Sequence, residues 1–260
     1  MEHIVLEKDG KLGWIIFNRP EKRNALNLLM WQSIPKLIEE LNRDEEIRVI
    51  LFRGAGEEAF IAGADISEFK ELRNNLETAE FYNEATQVAF RSIRNSYKPV
   101  ISMIHGFCIG GGCAIALNSD LRISADNSSF ALPPAKLGLA YGYENVQQVI
   151  NVVGASYARE MLYTAKLYNA LEAKNMGLVH QVVPVLELVE FTKKYAMKIA
   201  ENAPLSVHAV KVAINEHIKA PEDRHFEKIM EAMNACYDSE DYREGYTAFL
   251  EKRKPVFKGK

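Results

Sequence analysis

Strand-type and helix-type stretches alternate along the first half of the chain, and this alternation constrains the fold more than any other feature. Ile4-Val5-Leu6 and Leu12 to Phe17 are short β-rich runs separated by Asp9-Gly10, a hairpin turn signal. Leu28 to Leu41 carries apolar residues at helical spacing, with Pro35 either tolerated or marking a break. Arg48 to Phe52 reads as a buried strand ended by Gly54-Ala55-Gly56. Thr78 to Ile93 repeats apolar residues every three or four positions, as a long amphipathic helix does. Pro99 to Ile104, Leu121 to Ala125 and Ser129 to Leu132 are further strands. This order argues an α/β core with parallel pairing.

The second half differs. From about Glu144 nearly everything has helical period, with one strand candidate at Val179 to Val183. The helical blocks are Ser156 to Thr164, Leu186 to Asn202, Pro204 to Ile218, Glu222 to Tyr237 and Ser239 to Lys252. No long Gly/Ser/Pro linker interrupts them. The reading is a core over residues 1–200 and a helical region over 201–260, which covers either the chain's own core or a neighbouring copy.

At 260 residues the chain can bury about three quarters of its unfolded surface and needs no staples. Lys+Arg 32 against Asp+Glu 35 leaves −3, which argues against nucleic acid as a partner. No apolar run approaches the ~20 residues that cross a bilayer. Met1-Glu2-His3-Ile4 lacks the basic and apolar stretches of a signal peptide, so a cytoplasmic location is expected. Cys108, Cys113 and Cys236 are odd in number and show no metal-like spacing, as fits a reducing compartment. Cys108 and Cys113 lie in apolar company and read as buried thiols.

Two segments carry chemistry in their backbone. Ala59-Phe60-Ile61-Ala62-Gly63-Ala64-Asp65-Ile66-Ser67 follows a strand and a Gly-rich loop. Its small residues let a ligand approach the chain, and Ala64 can offer its N–H. His105-Gly106-Phe107-Cys108-Ile109-Gly110-Gly111-Gly112-Cys113-Ala114 follows the Pro99 strand and opens a helix. Free N–H donors at a helix start favour negative charge, so a phosphate, a carboxylate or a developing oxyanion suits the place. The glycines do not follow the spacing of a nucleotide-phosphate loop. Their other reading is tight helix–sheet contact alone.

These two segments, together with Phe17-Asn18-Arg19-Pro20-Glu21-Lys22-Arg23-Asn24-Ala25-Leu26, Phe130 to Gly138, Ala203-Pro204-Leu205 and the tail from Ser239 to Pro255, resemble the crotonase (enoyl-CoA hydratase/isomerase) family over essentially the whole chain. The resemblance implies a crotonase-like spiral of ββα units with a C-terminal helical trimerisation region. It implies homotrimers, often paired as hexamers, and an acyl-CoA substrate, coenzyme A entering only as part of that substrate and no further cofactor being needed. By family analogy Ala64 and Gly111 supply the two N–H groups that bind the thioester oxygen. Arg23, Ala25, Ala62, Asp65, Ile66, Ser67, Gly110 and Pro133 then belong to the substrate site. Lys22, Arg23 and the tail from Lys254 to Lys260 are where the phosphates would be met.

The sequence departs from the hydratases of that family at the acids. One hydratase glutamate stands directly after the glycine turn, where this chain has Ala114. The other stands where it has Pro134, and isomerases place an acid where it has Gly142. None of the three can transfer a proton. The remaining candidates lie in Leu139-Ala140-Tyr141-Gly142-Tyr143-Glu144-Asn145. A methylmalonyl-CoA decarboxylase of the family has a similar Leu-Gly-x-x-Tyr stretch, so Tyr141 either orients a substrate carboxylate or packs its ring with a bonded hydroxyl. Glu144 either serves as a general base or stands at a helix start, where the dipole favours a carboxylate. His105 reads as a structural histidine. Asp120 reads as structural too, pairing with Arg122 or capping. The expectation is a CoA-thioester lyase or isomerase that stabilises an enolate, with decarboxylation through Tyr141 and a silent acyl-CoA binder as alternatives.

Overall fold

The computed structural model describes residues 3–260. β1 (Ile4–Asp9) and β2 (Leu12–Phe17) form the expected antiparallel hairpin, with Asp9 opposite Leu12 and Gly10 at φ 56° in the turn. There follow α1 (Leu28–Arg43), β3 (Val49–Gly54), β4 (Ala59–Ile61), α2 (Phe69–Leu72), α3 (Leu76–Arg94), β5 (Val100–Ile104), β6 (Phe107–Ile109), α4 (Gly111–Asn118), β7 (Leu121–Ala125) and β8 (Ser129–Ala131). The rest is α5 (Tyr143–Thr164), β9 (Tyr168–Asn169), α6 (Ala170–Asn175), β10 (Gln181–Val183), α7 (Leu188–Ala200), α8 (Pro204–His217), α9 (Phe226–Tyr237) and α10 (Glu240–Leu250).

Two sheets result. The larger runs β1-β2-β3-β5-β7-β10 and is parallel from β2 onward. The smaller runs β4-β6-β8-β9, with β4, β6 and β8 parallel and β9 antiparallel. The parallel pairing read from the βα alternation therefore holds. Period-two alternation sorts the large sheet's side chains onto two faces. Ile15, Phe17, Ile50, Phe52, Val100 and Ile104 join the core beneath α1, α3 and α4. Trp14, Ile16, Val49, Leu51, Ile101 and Ile123 join a second core closed by Leu188, Ala196 and Ala200 of α7.

Several local features explain the boundaries. The Asn27 side chain accepts the Met30 N–H at 2.9 Å and caps α1, which then runs through Pro35 without ending. Gly154, at φ 74° and ψ 164°, kinks α5, so Ser156 begins a second helical segment as its spacing suggests. β4, β6 and β9 are too short to carry a periodic signal and were not legible as strands.

Asp120 corrects one expectation. Its Oδ2 accepts from the Val100 N–H at 2.7 Å and from Lys211 Nζ at 2.7 Å. Arg122 turns instead to the carbonyls of Leu178, Ala116 and Ser119. Asp120 thus clasps α8 to the core; Arg122, equally buried, has three backbone carbonyls as acceptors. Beyond α8 the chain leaves much apolar surface open. Phe226, Met230, Tyr237, Tyr242, Tyr246 and Phe249 of α9 and α10 are all more than half exposed or at half.

Candidate functional site

The small sheet brings the two backbone-donor segments together. β4, β6 and β8 are parallel neighbours, so their C-terminal ends open on one side. Ala62 to Ala64 follow β4, Gly110 and Gly111 follow β6, and Leu132 to Pro134 follow β8; all these segments line one cavity of about 860 Å³. Ligands favour such strand ends in α/β sheets. α3, the loop before α5 and the start of α5 supply the remaining wall through Tyr82 and Gln87, Tyr141, and Glu144.

Each glycine of the turn has a separate job. Gly110 takes φ 52°, a left-handed conformation that favours glycine. A Cβ on Gly112 would stand 2.3 Å from the Ile61 carbonyl oxygen, so glycine lets α4 close on β4. A Cβ on Gly111 would stand 3.0 Å from the Trp31 ring and 3.7 Å from the Ala64 nitrogen. That last distance sets the Gly111 and Ala64 backbones side by side at the cavity wall. Leu26 takes the Gly63 carbonyl and the Asp65 N–H in a parallel bridge, which turns the Ala64 N–H the other way. The Gly111 N–H is at the first turn of α4 and has no intrahelical partner. Neither N–H donates to another backbone group among the described residues, and the two backbones stand side by side at the cavity wall.

The substrate-site expectations divide. Ala62, Ala64, Ile66, Gly110, Gly111 and Pro133 line the cavity. Asp65 and Ser67 do not. The Asp65 carboxylate takes Arg19 Nη2 at 2.8 Å and both the N–H and hydroxyl of Ser67. Burial works against the charge, but the bonds from Ser67 and Arg19 outweigh it and hold the carboxyl below its ordinary range. Ala25 contributes its carbonyl to the same clasp, accepting Arg19 Nη1 at 2.7 Å. This clasp fixes the segment that carries Ala64. Arg23 lies outside the lining, exposed, paired with Glu58 at 2.8 Å and set over the Phe107 ring. Lys254 is likewise exposed and paired with Glu201 at 2.8 Å.

Tyr141 and Glu144 both line the cavity, with opposite fates. The Tyr141 hydroxyl is buried and has no hydrogen-bond partner among the described residues. Burial, with a smaller contribution from Cys113, pushes the phenol up, and it stays protonated. Glu144 does start α5. Its carboxylate meets Arg94 at 3.2 Å and Arg91 at 3.5 Å, and Arg94 continues through Asn118 to the Ala114 carbonyl. Among the described residues it is the only carboxylate of the lining, and two guanidiniums pair with it. Ala114 and Pro134 line the cavity where the resemblance implies acids, and Gly142 lines it where an isomerase would carry one.

Sequence reasoning missed Tyr82, Gln87 and Arg73, which also line the cavity. Tyr82 accepts the Trp31 indole N–H at 2.9 Å, and burial pushes its phenol up to about 12. His105 is buried behind β6, outside the lining; burial lowers it, and its Nε2 has no partner, so it is structural without being satisfied. Cys108 and Cys113 are fully buried and free, and burial raises Cys108 well above a normal thiol. No group of three potential metal ligands occurs among the described residues. No helix among them is long and apolar enough to cross a membrane.

Backbone N–H groups side by side at parallel strand ends are what the resemblance to the crotonase family implies, and the comparisons agree on the family. The chain belongs to the enoyl-CoA hydratase/isomerase family, whose model matches residues 7–260. It is 39% identical to a short-chain-enoyl-CoA hydratase of Clostridium acetobutylicum, covering 98% of this chain and 97% of that one. It is 35% identical to a methylmalonyl-CoA decarboxylase of Escherichia coli, covering 96% and 95%. A crystal structure of an enoyl-CoA hydratase/carnithine racemase from Magnetospirillum magneticum superimposes with a TM-score of 0.95 at 35% identity, over 100% of this chain and 97% of that one.

Proposed function

We propose that this protein binds an acyl-CoA and stabilises its thioester enolate between the N–H groups of Ala64 and Gly111, in a reaction that does not use a carboxylate pair of the protein. The carrying observation is the cavity lining: two convergent, unengaged N–H donors, and no carboxylate except the doubly paired Glu144. Negative charge that builds on the thioester oxygen meets fixed dipoles there, each worth roughly 2.7–4 kcal/mol by comparison with known oxyanion donors.

Among such reactions the unpartnered Tyr141 hydroxyl favours decarboxylation of a malonyl-type thioester. Loss of CO₂ leaves the enolate without any base, and a phenol that stays protonated can orient the departing carboxylate. The likeness to a methylmalonyl-CoA decarboxylase supports this. Hydration is the second reading, favoured by the names of relatives such as the Clostridium acetobutylicum hydratase. It requires water to be activated by groups other than residues 114 and 134. The exposed apolar face of α9 and α10 supports assembly as trimers or paired trimers.

A panel of CoA thioesters with mass-spectrometric product detection tests the reading. Product from a malonyl-type thioester and none from crotonyl-CoA supports decarboxylation. Hydration of crotonyl-CoA at ordinary rates of ~1–10³ s⁻¹ overturns it. Affinity for CoA with no product from any thioester identifies a binding protein.

A further inference from the structure

The structure assigns Arg73 as the residue that selects an acyl group bearing a carboxylate, a role that rests on the acyl-CoA reading above but not on which reaction follows. Arg73 follows α2 and lines the cavity. Its guanidinium carbon lies 4.9 Å from the Phe69 ring centroid and 5.2 Å from that of Tyr82. Nη2 donates to Asn83 Oδ1 at 2.9 Å, and Nε is buried with no partner. No carboxylate among the described residues pairs with it, whereas Arg19, Arg91 and Arg94 all face one.

The place is on the acyl route. Tyr82 bonds to the Trp31 indole, and that indole borders Gly111. Two side chains thus lead from the oxygen-binding donors to the guanidinium, and both line the cavity. A cation set in an aromatic wall without a counter-ion is a costly arrangement unless a ligand supplies the anion. A guanidinium fork matches a carboxylate in bidentate fashion, and its ring stacking fixes the plane of approach. A methyl in the same place leaves the cation unpaired, which is the condition for discrimination of about ten- to a hundredfold. A carboxylate so held is stabilised as an anion, so it is a recognition handle. A malonyl-type thioester has one carboxylate, which in a decarboxylation is lost beside Tyr141, so the carboxylate that Arg73 holds is the terminal one of a longer diacid.

Isothermal titration calorimetry on the full chain tests this with matched pairs, each a diacid thioester against its uncharged isostere: malonyl- against isovaleryl-CoA, succinyl- against isocaproyl-CoA, and glutaryl- against isoheptanoyl-CoA. In at least one pair the diacid binds about tenfold tighter or more. Arg73→Met brings that ratio near one, and Arg73→Lys keeps part of it. Arg73→Gln carries the test should the methionine variant not fold. An unchanged ratio in the variants, or a preference for the uncharged member in every pair, overturns the assignment. Equal weakening of all six thioesters and of free CoA places Arg73 on a CoA phosphate and also overturns it. Failure of the parent protein to bind free CoA or any thioester overturns the acyl-CoA reading itself.

Discussion

Gly111→Ala separates the chemistry of the glycine turn from its architecture. The backbone of Gly111 is not in the left-handed region, so alanine meets no conformational penalty there. The added methyl lies 3.0 Å from Trp31 Cζ2, a contact that needs a shift of a few tenths of an ångström. Overpacking of this kind costs about 1–3 kcal/mol, and helix propensity returns up to about 1 kcal/mol. Net stability therefore falls by no more than about 3 kcal/mol. The methyl also lies 3.7 Å from the Ala64 nitrogen. An oxygen held by both donors sits within about 3 Å of each, so the methyl crowds it. Alanine keeps the N–H, so the loss comes from pushing the oxygen off one donor, with the cost of losing a donor outright, about 10²–10³ in turnover, as its upper limit. Steady-state kinetics on whichever thioester the parent converts, with thermal unfolding in parallel, reads both effects. Turnover within threefold of the parent would show that the reacting oxygen does not lie between these donors. Gly112→Ala is the contrast: its methyl meets the Ile61 backbone at 2.3 Å, so the fold itself is lost first.

Three further outcomes follow from the same geometry. Tyr141→Phe removes a buried hydroxyl that no partner satisfies, so the unfolding temperature holds or rises while turnover falls; unchanged turnover would leave the ring as mere packing. Glu144→Gln keeps turnover within about tenfold in the same kinetic assay, whereas loss of a general base costs about 10²–10⁴, because its carboxylate already serves Arg94 and Arg91. Asp65→Asn breaks a buried ion pair and costs about 3–5 kcal/mol in chemical denaturation. Since the folded state lowers the Asp65 carboxyl, its contribution is present above the ordinary carboxylate range and is lost as pH falls through the lowered value. The gap between parent and variant should therefore narrow as pH falls below the ordinary carboxylate range, and a gap that stays constant through acid would refute the assignment.

Local signals account for what was legible. The hairpin followed from Asp9-Gly10 between two apolar runs, and the donor segments from small residues beside strand ends. Ala64 and Gly111 are identified by resemblance to the family, and their backbones stand side by side at the cavity wall. The charged side chains were another matter. Glu144 reads as a free carboxylate until Arg91 and Arg94, about fifty positions earlier, come to meet it. Asp120 finds Lys211 across 91 positions, not its neighbour Arg122. Tyr82, Gln87 and Arg73 sit on or beside a helix whose amphipathic pattern does not distinguish a residue facing core from one facing a cavity. Strands of three residues, β4 and β6, carry no period at all, yet their pairing brings the two donors together.

The separation of the donors from the reactive side chains has a consequence for how such a protein changes. The Ala64 and Gly111 N–H groups are held by strand pairing and by the Arg19–Asp65 clasp, none of which depends on residues 114, 134, 141 or 142. Those four positions all border the cavity, where a side chain can be exchanged without moving the frame. Reaction type is thereby a variable laid over a constant. On the proposed function, exchanges at these positions would change the reaction while the donor pair stayed in place.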